Sequence, residues 1–136
     1  MGSRRRSRIL AMQALFSWDI TQRPLDELLT LDWDDRVGQV PETDAFARLL
    51  IAGTLENIDE VDQAIRTHLE HWELGRLARV DRAILRLGTY SLLFQSDVPA
   101  SVTIDEAVDI AKEFGSDESY RFVNGVLDAV KRDRDS

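Results

Sequence analysis

The chain has no cysteine. That excludes disulfides, thiolate zinc sites and thiol catalysis, and it makes a reducing compartment the natural setting. Only three prolines and seven glycines punctuate 136 residues. Runs of β-branched residues are scarce as well, so the sequence predicts an all-α fold. No stretch reaches the length of a membrane span. The apolar segment from Ile9 to Phe16 is too short, is broken by Gln13, and runs into Trp18-Asp19 without a small-residue cleavage site, which argues against a secretory signal. The start Met-Gly-Ser-Arg-Arg-Arg lacks the hydroxyl residue of a myristoylation motif. Together these absences point to a cytoplasmic protein. Nucleophile elbow, phosphate-binding loop, dinucleotide glycine set and kinase motifs are all missing, and no pair of carboxylates is spaced for acid–base work. The sequence predicts no enzyme and no cofactor.

What is present is 43% apolar residues, enough for one core in one domain, residues 1–136. The net charge of −8 is uneven. Arg4, Arg5, Arg6 and Arg8 open the chain; without them 13 basic residues face 25 acidic ones, a net of −12. An acidic body with a basic end suggests a local anion site. Nearly all the cations are arginine, whose planar fork suits phosphates and stacks on bases.

Seven helices are expected. The central one is Val80–Phe94, VDRAILRLGTYSLLF, where only Arg82, Arg86 and Thr89 form a polar stripe. A helix that apolar must be surrounded by others, and its charges must reach the surface or a partner. Before it come Arg4–Gln22, with Ile9, Met12, Phe16 and Ile20 as a core face; a short helix with Leu25, Leu28 and Leu29; Asp44–Glu56, with Phe46, Leu49, Leu50 and Leu55; and a helix capped by Asn57 with Glu60. Asp32–Thr43 reads as a solvated acidic loop, since its aspartates miss the calcium-loop spacing. His68 and His71 lack a third metal ligand. After the central helix, Thr103-Ile104-Asp105-Glu106 has the pattern of a capping box, Gly115 closes that helix, and the last one opens at Ser116-Asp117. There Val123, Val126, Leu127 and Val130 face inward with Phe122, while Arg121, Asn124 and Asp128 share the opposite stripe. Gly125 marks either close helix approach or room for a ligand. Arginines near Ser119, Tyr120, Arg121 and Asn124 combine phosphate neutralisation with stacking and base-edge groups, a mix suited to single-stranded RNA.

The run DESYRFVNGVLD, from Asp117 to Asp128, resembles the C-terminal helix of the bacterial antitermination factors of the NusB family. RRRSRILAMQALFSW, VDRAILRLGTYSLL, the SDVP turn and TIDEAVDIAKEFG match the same family in the same order. The resemblance is weakest in Asp32–Thr43. It implies a non-catalytic RNA-binding bundle of two helical halves, residues 1–56 and 57–131, around the central helix, with a charged tail at 132–136. It implies pairing with the ribosomal protein NusE, binding of boxA RNA, and read-through by RNA polymerase with other Nus factors, notably in ribosomal RNA operons. A homodimer of the free protein stays open. By this likeness Arg4, Arg5, Arg6, Arg8 and Gln13 form the RNA-binding arm. Ser119, Tyr120, Arg121, Phe122 and Asn124 meet a second RNA segment, and Phe16, Asp81 and Arg82 face NusE. Phe16 stands where the family often has tyrosine, so a hydroxyl contact there is lost; Tyr120 stands at a variable place. By period alone Phe122 is equally a core residue, and Asp81 equally a cap. Two other readings remain: the NusB-like domain of a ribosomal RNA methyltransferase, and a helical protein–protein adaptor.

Overall fold

The computed structural model describes residues 3–136. Its helices are α1 (Ser3–Thr21), α2 (Leu25–Leu28), α3 (Pro41–Glu56), α4 (Ile58–Thr67), α5 (Arg79–Phe94), α6 (Ala100–Phe114) and α7 (Ser119–Asp135), with a 3-10 turn at Leu74–Arg76. No strand occurs among the described residues.

The central helix is α5, as its apolar composition requires. Every residue from Arg82 to Leu92 is buried, about three full turns closed on all sides. Helices α1, α3, α4, α6 and α7 pack around it. One continuous core results, with Leu10 and Leu15 of α1, Leu50 and Ile51 of α3, Ile65 of α4, Ile84 and Leu85 of α5, Ile110 of α6 and Leu127 of α7 at its centre. Two glycines permit the closest approaches. A Cβ on Gly88 would lie 2.8 Å from Leu127 Cδ1, so the Leu127 side chain of α7 packs directly on the α5 backbone there. A Cβ on Gly53 would collide with the ring of Tyr90, which seats α3 on α5.

The arginines of α5 find partners rather than solvent. Arg86 grips Asp62 of α4 through Nε (2.8 Å) and Nη2 (3.0 Å). Asp19 of α1 accepts hydrogen bonds from both Arg82 and Arg86. Arg82 also donates to the Leu74 carbonyl at 2.9 Å, tying in the 3-10 turn. Buried charges are tolerable only when paired this completely, and the network fastens α1, α4 and α5 together.

Several expectations are corrected. The inward face of α1 is Ser7, Leu10, Ala11, Ala14 and Leu15, with Met12; Ile20 is 48% exposed. α1 is wedged between α3 and α5, so its small residues turn inward where backbones come close. α3 starts at Pro41, three residues early, because proline fits the first helical position, and its Leu49 is 50% exposed. Asn57 does not cap α4: its side-chain amide donates to the Gly53 carbonyl and finishes α3 instead. Thr103 and Glu106 form no capping box, since α6 already begins at Ala100. Gly115 does end α6, but in an extended conformation. α7 begins at Ser119, whose hydroxyl accepts the Ser116 backbone N–H at 2.9 Å. Around Gly125 there is open space, so it marks no close approach.

Candidate nucleic-acid interface

The N-terminal arginines belong to α1 and are not a loose tail. Four cations at a helix N-terminus oppose the helix dipole, and the fold supplies carboxylates to offset them. Arg5 donates from Nε and Nη2 to the two oxygens of Glu106, both at 2.7 Å, and from Nη2 to Asp109 at 2.9 Å. Glu106 and Asp109 lie three apart on α6, hence on one face. Arg6 pairs with Asp34 of the loop before α3. Arg8 is buried; its Nη1 lies 3.6 Å from Glu106. Arg4 has no carboxylate partner among the described residues and stacks over the ring of Phe46, 4.0 Å from its centroid. The Arg5 hydrogen bond holds the Glu106 carboxyl below its ordinary range, and Glu106 in turn raises the pKa of Arg5. Burial lowers that of Arg8.

Two clefts flank this edge. One of about 800 Å³ runs past Arg4, Arg5, Arg8 and Phe46 to Val98 and Val102. The other, about 560 Å³, is lined by Arg5, Arg6, Asp34 and Arg36, with Glu113 of α6. Arg36 came from the loop read as merely acidic, and its position beside Arg5 and Arg6 had no sequence signal. Gln13 lies further along α1 and accepts the Trp33 indole N–H at 3.0 Å.

The second group gathers at the α6–α7 corner. Lys112 of α6 sits 5.2 Å from the Tyr120 ring centroid. Arg121 Nε donates to the Tyr120 hydroxyl at 3.0 Å. Lys112 follows Asp109 by three residues, about 4.5 Å along the helix, so α6 carries the arginine edge on one turn and the Tyr120 corner on the next. Asn124 is exposed on the outer stripe with Arg121. Ser119 is buried, its hydroxyl held by Ser116.

Phe122 is half-buried against the core and lines a cleft of about 200 Å³ with Trp72, Leu77 and Asp81. Asp81 Oδ1 is buried there without a hydrogen-bond partner. Trp72, 61% exposed, is the largest apolar group in that region and was not singled out from the sequence. Phe16 is half-buried against the core. Arg82 is buried in the Asp19 network and presents little surface. His68 faces Asp133 at 3.5 Å and His71 is exposed. No group of three metal-ligating side chains occurs among the described residues.

Solved structures of the same shape define the class. A NusB from T. maritima is 42% identical, with a TM-score of 0.86 over 95% of this chain and 90% of that one. A crystal structure of antitermination factors NusB and NusE in complex with double-stranded RNA gives a TM-score of 0.88 at 28% identity, covering 98% of each chain. These are transcription antitermination factors, which are not enzymes.

The chain belongs to the NusB family, whose family model matches residues 5–132. The transcription antitermination protein NusB of Treponema pallidum (strain Nichols) is 52% identical over 131 residues, 95% of this chain and 92% of that protein. That of Treponema denticola is 48% identical over 129 residues, 94% and 95% of the two chains. Among the described residues no helix is long and apolar enough to cross a membrane.

Proposed function

We propose that this protein binds boxA-type RNA together with ribosomal protein NusE and so promotes read-through by RNA polymerase, notably in ribosomal RNA operons. The observation that carries the reading is the continuity along α6: the arginine edge of α1 is one helical turn from the Tyr120–Arg121 corner. Phosphates are met by Arg4, Arg5 and Arg6, while Tyr120, Arg121 and Asn124 meet bases. Arg8 is the deepest of the four arginines, reaching the larger cleft from beneath while it braces Phe46 and Glu106. The related NusB solved with NusE and double-stranded RNA supports both partners. The half-buried Tyr120 ring and the exposed Arg121 guanidinium on α7 favour a single strand here. NusE is assigned to the cleft of Trp72, Asp81 and Phe122, where one carboxylate sits among apolar groups.

The test is fluorescence anisotropy of boxA and scrambled RNA, single- and double-stranded, over a salt series with and without NusE. Replacing Arg4, Arg5 and Arg6 by alanine should nearly abolish boxA binding, keep NusE binding, and lower the salt slope by roughly 2, at about 0.7 per phosphate on a single strand. An unaltered slope would place the RNA elsewhere. Binding to NusE alone, with no RNA shift at any salt, would leave a protein–protein adaptor. Asp81→Lys should weaken NusE binding with the fold intact; wild-type affinity by calorimetry would remove Asp81 from that interface.

A further inference from the structure

We propose that Glu106 sets the RNA affinity of the arginine edge, because it occupies the part of Arg5 that a phosphate would take. The inference rests on the RNA-binding reading above. A guanidinium has five N–H groups, one on Nε and two on each terminal nitrogen. Nε and Nη2 are spent on Glu106, and Nη2 also serves Asp109. Bidentate grip of a phosphate uses two neighbouring nitrogens. Both such edges of the fork, Nε with Nη2 and Nη1 with Nη2, include the nitrogen that is already committed. While Glu106 and Asp109 stay in place, a phosphate can take only a single-pronged contact at Nη1.

The surroundings are built for exchange. Arg5 keeps 36% of its side chain exposed, so an incoming phosphate can reach it. Arg8, fixed beneath, remains 3.6 Å from Glu106 and keeps that carboxylate compensated after Arg5 leaves. Arg4 is free of carboxylates and exposed, so it makes the first contact, and Arg5 then trades Glu106 for the strand. Glu106 is thus a competitor built into the fold: it neutralises the arginine edge when RNA is absent and subtracts from affinity when RNA is present.

Asp105 supplies the control. It carries the same charge at the adjacent position, is exposed, and among the described residues pairs with no arginine. The measurement is anisotropy of boxA RNA at one fixed salt concentration, NusE present, with wild type, Glu106→Gln, Asp109→Asn and Asp105→Asn. A surface ion pair of this exposure corresponds to a gain of about threefold to fivefold on release. Glu106→Gln should therefore bind about that much tighter than wild type, Asp109→Asn by less, and Asp105→Asn within about twofold, the screened effect of one distant charge. In the wild type, the Arg5 Nε–H resonance should shift when RNA is added. Equal gains for Glu106→Gln and Asp105→Asn would show a bulk charge effect and overturn the proposal, as would weaker binding by Glu106→Gln. Failure of every variant, wild type included, to bind RNA overturns the RNA reading itself, an outcome distinct from the other two. Should Glu106→Gln melt early, Asp109→Asn decides alone: a gain above that of Asp105→Asn supports the competition, and none removes it.

Discussion

Arg5 and Arg86 grip their carboxylates in the same way, through Nε and Nη2. The distances are 2.7 and 2.7 Å to Glu106, and 2.8 and 3.0 Å to Asp62. What differs is the medium. The Arg5 side chain is 36% exposed and the Arg86 side chain 9%. Around Arg5, water can replace either partner, so the pair is exchangeable and of small value to stability. Around Arg86 there is no substitute, and removing one partner strands the other charge in the core. Identical hydrogen bonding therefore serves holding in one place and release in the other, and burial decides which.

The widest separation between the two should come from single deletions. Arg86→Ala leaves Asp62 unpaired in the core and should cost about 3–5 kcal/mol in denaturant unfolding. If it costs no more than Arg5→Ala, burial is not what distinguishes the two pairs. Leu85→Ala, in the same helix and fully buried, should cost about 2–5 kcal/mol. Its cost should be insensitive to salt, which separates packing of α5 from its charges.

Arg5→Ala should lower stability by no more than about 1 kcal/mol, because the pair is partly solvated, and by less as salt rises. On the proposed reading its larger effect is expected in RNA affinity. A pH series sharpens the point further. Arg5 depresses the Glu106 pKa in the folded state. The stability this gives is full at neutral pH and is lost as pH falls below the ordinary glutamate range toward the depressed value. The melting difference between wild type and Glu106→Gln should shrink across that window; a constant difference would mean that charge on Glu106 is not what holds Arg5. The smallest effect on stability is expected at Asn124→Ala, on the outer stripe: within about 0.5 kcal/mol. There the readout is reduced preference for boxA over a scrambled RNA, with the salt slope unchanged, since base contacts specify whereas phosphate contacts position.

The sequence made the helices and the central role of α5 legible because a period of 3.6 apolar residues is a local signal. Arg82 and Arg86 were legible as charges in need of a partner. That the partners are Asp19 and Asp62, 63 and 24 residues away from them in the chain, was not, for nothing local couples those positions. Capping boxes misled for a related reason. Thr103-x-x-Glu106 has the right residues, but Pro99 fixes the start of α6 earlier, and Glu106 is drawn away by Arg5. The inward face of α1 was misread because two neighbours squeeze it, so alanines and a serine outrank isoleucine there. In the candidate site, arginine, tyrosine and asparagine were visible as chemistry, whereas their internal competitors Glu106, Asp109 and Asp34 become visible only when α6 and the loop before α3 fold back on α1.

Gly88 carries one more consequence. Its bare Cα lets Leu127 pack on the α5 backbone, and that seat, with Val123, Val126 and Val130 buried beside it, sets the azimuth of α7. Each residue on a helix is turned about 100° from the next. With Leu127 locked inward, Asn124 and Arg121 are locked outward at the spacing of one turn. A Cβ at position 88 would press on the Cδ atoms of Leu127, the flexible end of that side chain, so Leu127 repacks before α7 itself has to move. Gly88→Ala is therefore felt first in the packing of Leu127, deep in the bundle and away from the outer stripe of Arg121 and Asn124.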